Sequence, residues 1–260
     1  LFNVSVYGPD GKPDGEIRLP EAFDAAVRMD LIKRAVIALQ SHRFQPQGRD
    51  PMAGKRTSAE SMGVGHGLAR VPRVKGERYT RSGQAAFAPG TVGGRLAHPP
   101  TPRKLMWKNM NRRERRLAFL SAVAATARKD LVQMRGHRIE RVPNVPLVIS
   151  DEAESMKRTA EVKAMLVSLG LWDDVERVID SRRERPGMGK ARGRKYKMGV
   201  GPLIVVGEDR GIGKAAENLP GVEVVEAREL NVEHLAPGAH PARLAVWTKA
   251  SLAVLAERTM

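Results

Sequence analysis

The sequence contains no cysteine, which excludes structural disulfides, cysteine-ligated zinc and thiol catalysis and is compatible with a reducing compartment. Aromatic residues make up only 4% of the chain. No apolar run reaches the roughly 18 residues of a membrane-spanning helix, and the opening residues do not read as a secretory signal, so no membrane partner is expected. Acidic residues are also scarce. Against 45 Lys and Arg there are 29 Asp and Glu, a formal net charge of +16 on 260 residues. An excess of that size accompanies nucleic-acid binding most often and acidic membrane surfaces less often.

Motifs that carry chemistry are equally sparse. Among the six histidines, His42, His66, His98, His137, His234 and His240, none pairs with another at the spacing of helical metal ligands. No Gly-x-Ser-x-Gly elbow occurs, and no dinucleotide-binding Gly-x-Gly-x-x-Gly follows a strand. Gly211-Ile212-Gly213-Lys214-Ala215 suggests a phosphate loop. That motif needs Gly and Ser/Thr where this chain has Glu208 and Ala215, so a plain helix start is expected. The carboxylate pairs Asp151-Glu152 and Asp173-Asp174 fall in polar, turn-like contexts, where capping or solvated roles are expected. No catalytic residue, metal or cofactor is expected. A nucleotide-using α/β enzyme is the weaker alternative.

The positive charge is concentrated. Arg43–Lys104 holds 12 Lys and Arg against 3 Asp and Glu, together with ten Gly and seven Pro. Arg182–Lys197 holds eight basic residues and one acidic. These two segments account for the whole excess, so the remainder is neutral. The first can sustain neither a long helix nor a central strand, and it is several times longer than the roughly 12–15 residues usual for a loop. It reads either as a disordered basic insert or as an arm that orders against a polyanion. Glycine permits close backbone approach to phosphate, and arginine supplies a bidentate fork. With Phe44, Tyr79 and Phe87 its only aromatic residues, phosphate and shape contacts should outweigh base stacking.

The rest of the chain alternates strands and helices. Asn3–Tyr7 and Glu16–Leu19 flank the turn Gly8-Pro9-Asp10-Gly11. Phe23, Val27, Leu31 and Ala35 predict one helix from Pro20 to about His42. Asn111 with Glu114 predicts a helix start, with Leu117, Leu120, Ala124 and Ala127 as the buried stripe. Arg112, Arg113, Arg115 and Arg116 oppose that helix's dipole; they read either as a solvated basic face or as a sign of nearby negative charge. Strands are expected at 146–150, 202–207, 222–227 and 243–248, and helices at 159–169, 212–219 and 249–258. The pattern predicts an α/β fold, a three-layer domain with a mainly parallel sheet, plus a long extended non-regular loop. As domains, a single globular body over 1–260 is expected, interrupted by 43–104 and by a second basic loop at 182–197, which should leave from one rim of the sheet.

Five stretches carry a family resemblance. Ser61–Gly76 (SMGVGHGLARVPRVKG), Arg81–Phe87 (RSGQAAF) and Gly93–Pro100 (GGRLAHPP) resemble the central loop of the universal large-subunit ribosomal protein L-four family, in its archaeal and eukaryotic form. Gly189–Tyr196 (GKARGRKY) resembles that family's second basic loop, and Leu235–His240 with Trp247-Thr248 its C-terminal end. The match runs in order over nearly the whole chain.

The resemblance implies a structural, rRNA-binding protein of the cytoplasmic large ribosomal subunit. Its globular part would sit on the outer surface. Its long loop would pass between rRNA domains to the wall of the polypeptide exit tunnel. The partners implied are large-subunit rRNA, neighbouring large-subunit proteins and the nascent polypeptide. The phosphate-facing positions it implies are Arg49, Lys55, Arg56, Arg70, Arg73, Lys75, Arg78, Arg81 and Arg95, then Lys190, Arg192, Arg194 and Lys195. The tunnel-facing tip would include Gly63, Gly65, His66 and Gly67. His66 stands where many relatives carry Arg, which puts a phosphate contact there in doubt. An RNA-binding regulator acting on mRNA, including its own leader, is the alternative on the same basic loops.

Overall fold

The computed structural model describes residues 3–259. By their contacts, residues 3–40 and 108–259 form one compact unit and Ser41–Trp107 forms a second.

The first unit opens with β1 (Asn3–Tyr7) and β2 (Pro13–Arg18), an antiparallel pair. Their turn closes through Gly8 N–H to the Lys12 carbonyl at 2.8 Å. Gly11 sits there at φ +77°, and a Cβ on it would lie 2.7 Å from the Ser168 carbonyl oxygen. Helix α1 follows at Met29–Ser41. It starts later than the sequence predicts. Glu21–Asp24 is a separate 3-10 turn and Ala25 is extended. Two contacts account for the break. Phe23 packs edge-on against Trp247, with centroids 5.3 Å apart. The Ser121 hydroxyl donates to the Ala26 carbonyl at 2.8 Å, which takes the acceptor a continuous helix would use.

Within the second unit, β3 (Ala59–Glu60) and β4 (Arg73–Val74) form a short antiparallel pair. The first unit then resumes with α2 (Arg112–Thr126), α3 (Lys129–Met134), β5 (Leu147–Ile149), α4 (Thr159–Ser168) and α5 (Trp172–Asp180). Next come β6 (Arg183–Glu184), β7 (Tyr196–Lys197), β8 (Leu203–Val206), α6 (Ile212–Ala216), β9 (Glu223–Glu226), α7 (Val232–Leu235), β10 (Ala245–Thr248) and α8 (Lys249–Thr259).

The α2 start is as expected, with Asn111 Oδ1 accepting from Arg113 N–H at 3.0 Å. Glu114 does not close a capping box; it pairs with Arg34 at 3.0 Å. Of the expected stripe, Ala124 is buried and Leu120 and Ala127 pack half-buried against the core, but Leu117 does not belong to it. Leu117 is about half exposed, and Ala118, Ser121, Ala122 and Ala125 face inward. These small side chains leave room for a close helix approach.

The main sheet runs β2-β1-β5-β10-β8-β9, parallel except for the β1–β2 pair. Its three central strands, β5, β10 and β8, are buried along their whole length and apolar but for Thr248, as a covered parallel sheet requires. Val148, Leu203, Val205 and Trp247 point into one core with α1, α2, α7 and α8. Leu147, Ile149, Ile204, Val206 and Val246 point into the other with α3, α4, α5 and α6. That is a three-layer α/β arrangement.

At the C-terminal ends of β8 and β10, buried Glu154 accepts from Gly207 N–H at 2.7 Å and from the Thr248 hydroxyl at 2.8 Å. Asp151 caps α8 by accepting from Ala250 N–H at 2.8 Å. Ligands of open α/β sheets usually bind in this crevice; here the chain's own carboxylates occupy it. The same holds at the start of α6, where Asp209 Oδ1 accepts from Gly211 and Gly213 N–H at 2.9 and 3.0 Å. Those are the amides a phosphate would need.

Candidate nucleic-acid interface

The second unit is held by backbone contact. Its outgoing and returning limbs meet where a Cβ on Gly48 would lie 2.9 Å from Pro102, and where one on Gly54 would lie 2.4 Å from the Gly94 carbonyl. Near its ends, the rings of His42 and Trp107 stack with centroids 6.2 Å apart. Farther along, Ala59 pairs with Val74 and Glu60 with Arg73. A third run joins them through Val74 N–H to Gln84 at 3.0 Å and Ala86 N–H to Pro72 at 2.9 Å.

Residues 61–72 close the β3–β4 pair and contain the expected tip. Ser61 Oγ donates to the Arg70 carbonyl at 2.8 Å across their base. Gly63, Gly65 and Gly67 have φ of +79°, +92° and +65°, in open space. Glycine is therefore required at these three positions for backbone conformation and not for lack of room. His66 is exposed among them.

The arm's cations divide by what they touch. Arg49, Lys55, Arg70, Arg78 and Arg81 are exposed and have no carboxylate partner among the described residues. Arg56 is paired with Asp50 and Lys75 with Glu60. Arg73 is half-buried and donates to the Gly83 carbonyl at 2.9 Å, and Arg95 lies over the Phe87 ring at 5.8 Å.

The second basic loop lies between α5 and β8, so it meets the sheet at the N-terminal rim of β8. Its strands pair Arg183 with Lys197 and Glu184 with Tyr196. Arg192, Arg194 and Lys195 are exposed, and Lys190 Nζ lies 3.9 Å from Glu184. A third cationic patch is the first turn of α2, where Arg112, Arg113 and Arg115 are exposed and have no carboxylate partner among the described residues. Like charge at a helix N-terminus is unfavourable alone and is relieved by a nearby anion.

The base of the second loop is tied down by a buried network absent from the sequence-based expectation. Asp174 is fully buried rather than solvated or capping. It accepts from His137 Nδ1 at 2.9 Å, Arg177 Nε at 2.8 Å and Arg138 N–H at 3.0 Å. Arg177 also donates to the Val200 carbonyl at 2.7 Å. Buried Arg243 donates to the Gly201 carbonyl at 2.8 Å and pairs with Glu223. Ser181 Oγ accepts from Gly199 N–H at 2.7 Å.

Burial would raise the Asp174 carboxyl, but hydrogen bonds from His137 and Arg177 outweigh it and hold the group below the usual range. Burial lowers His137, with Asp174 opposing it in part. Arg135 is lowered to about 10 by burial and by the like charges of Arg243 and Arg177. His137 is therefore neutral, with its proton on Nδ1 toward Asp174.

Comparison with known proteins follows the same chain order. Residues 17–258 match the Ribosomal protein L4/L1 family. The chain is 53% identical over 257 residues to the large ribosomal subunit protein uL4 of Methanopyrus kandleri, covering 99% of each. It is 49% identical over 257 residues to that of Methanosphaera stadtmanae, covering 99% of this chain and 97% of the relative. It is 51% identical over 254 residues to that of Saccharolobus solfataricus, covering 97% and 93%.

Proposed function

Since the chain belongs to the ribosomal protein L4/L1 family, and so to the proteins of the large ribosomal subunit rather than to enzymes, we propose that it is a structural constituent binding large-subunit rRNA through its two basic segments. One observation carries this: the net positive charge sits outside the α/β scaffold, on Arg43–Lys104 and Arg182–Lys197, and much of it faces outward without an internal carboxylate. Arg49, Lys55, Arg70, Arg78, Arg81, Arg192, Arg194 and Lys195 would neutralise phosphates directly. Arg56 and Lys75 would do so only by leaving Asp50 and Glu60. Arg73 and Arg95 would chiefly hold the arm's shape.

The 61–72 hairpin loop, with Gly63, Gly65, His66 and Gly67, would reach the wall of the polypeptide exit tunnel and face the nascent polypeptide. Neighbouring large-subunit proteins would meet the scaffold. Such a protein works in the cytoplasm, within the large subunit.

The test combines two measurements on the full chain. Its affinity for large-subunit rRNA should fall steeply with salt, with a log–log slope of roughly −9 if about ten phosphates are met. It should also co-sediment with large subunits rather than with free mRNA. A slope near zero, or absence from subunits, overturns the proposal.

A further inference from the structure

One aromatic side chain within the second basic loop has no role so far. Tyr196 is 49% exposed on β7. The guanidinium carbon of Arg182 sits 4.5 Å from its ring centroid and Lys195 Nζ 5.4 Å from it. Beside the ring runs a groove of about 600 Å³, walled by Ile179, Met198, Val200, Asn218 and Leu219; Glu217 and Glu223 also line it, away from the basic loop, and Glu223 is paired with Arg243. Ile179, Met198 and Val200 are 44%, 55% and 37% exposed, so this is a cluster of large apolar side chains held at the surface.

The occupant must satisfy three conditions. It has an apolar face that covers Ile179, Met198 and Val200. It is flat enough to lie against a tyrosine ring already steadied by a guanidinium. It carries negative charge, because the neighbouring segment has eight basic residues and one acidic. An unpaired nucleobase on its sugar–phosphate chain meets all three, since its π-face stacks and its phosphate meets Arg182 or Lys195. The Asn218 amide supplies a donor and an acceptor for the base edge. An apolar protein segment meets only the first condition.

We propose that this groove receives one unpaired RNA base, stacked on Tyr196, with the flanking phosphate held by Arg182 and Lys195. The inference rests on the rRNA-binding reading and adds a stacking contact to it. The apolar wall of the groove, and not only the charges around it, then contributes to where the chain binds.

The test uses the full chain and a large-subunit rRNA transcript. Tyr196→Ala should weaken binding about tenfold while leaving the salt slope unchanged. Tyr196→Phe should bind like the parent. The exposed position of Tyr196 lets both variants fold, which circular dichroism checks. In assembled subunits, a photo-crosslinking amino acid at 196 should capture one nucleotide. Parent-like binding by Tyr196→Ala, a loss accompanied by a shallower slope, or capture of a protein chain at 196 overturns the inference and leaves the rRNA reading standing. Salt-independent binding by the parent chain overturns the reading, and this inference with it.

Discussion

The imidazole of His137 donates through Nδ1 to the carboxylate of Asp174 at 2.9 Å, and both side chains are buried. The same carboxylate holds Arg177, whose other nitrogen grips the Val200 carbonyl. A carboxylate in the core thus fixes the point where the second basic loop rejoins the sheet. Asp174→Asn should destabilise the first unit by about 3–5 kcal/mol, the usual effect of breaking a buried charge pair from one side. It should also make 182–200 easier to cleave. Denaturant unfolding and limited proteolysis measure the two effects, and a variant with parent-like midpoint and cleavage would refute the assignment.

The same pair makes stability fall in acid. His137 titrates below its ordinary value because of burial, so between the folded and unfolded pKa the unfolded chain holds more protons. Its contribution to stability is complete above about pH 6.5 and is lost as pH falls through the folded value. Asp174, also lowered, adds a second loss below about pH 4. Melting temperature should be flat just above pH 7 and decline below about 6.5. His137→Gln should flatten part of that decline. His234, which burial also lowers, should contribute to the remainder. Parallel pH profiles for parent and variant would refute this.

Neutralising arm cations should separate them into two groups. Arg70→Gln or Arg78→Gln should each reduce the salt slope of rRNA binding by about one. Arg56→Gln and Lys75→Gln should change it less, because Asp50 and Glu60 already accompany those charges. Filter binding at four or more salt concentrations measures the slope; equal changes across all four variants would contradict the geometry.

Two glycine substitutions should differ in their effect on assembly. Alanine at Gly54 brings a methyl to 2.4 Å from the Gly94 carbonyl, at φ +76°, and should disrupt the crossing of the limbs. Alanine at Gly67 meets nothing, and its cost is about 1–2 kcal/mol of local backbone strain. Gly54→Ala should therefore lower incorporation into large subunits much more than Gly67→Ala. Quantitative mass spectrometry of purified subunits would show it, and equal incorporation would count against the crossing.

The fold was largely legible because the buried strands alternate between two cores. Residues 146–150, 202–207 and 243–248 read as strands, and each contains one, trimmed at its ends. What escaped is informative. Helix α5 is nine residues long and carries Asp173-Asp174 in its first turn, which look like turn residues until His137, 37 positions from Asp174, supplies that carboxylate with a buried partner. The α1 start was misplaced because Phe23 obeys a helical period for another reason, its contact with Trp247. At the interface, charge density located both segments. Which cations are already occupied by Asp50, Glu60 or Phe87 depends on how the arm folds back on itself, and spacing along the chain does not encode that. Tyr196 was visible only as part of a motif, since Arg182 reaches it across a hairpin.

Glu154 stoppers the mouth of the sheet. A variant that opened room there for a small molecule would first strand a buried carboxylate or leave Gly207 and Thr248 without their acceptor, so mutational routes toward catalysis begin with a penalty. The hairpin extremities carry no such penalty. Outside the glycines at 63, 65 and 67, residues 61–72 and 185–195 can change side chains without disturbing either core, which makes them the places where lineages can adapt this scaffold to a changing RNA environment.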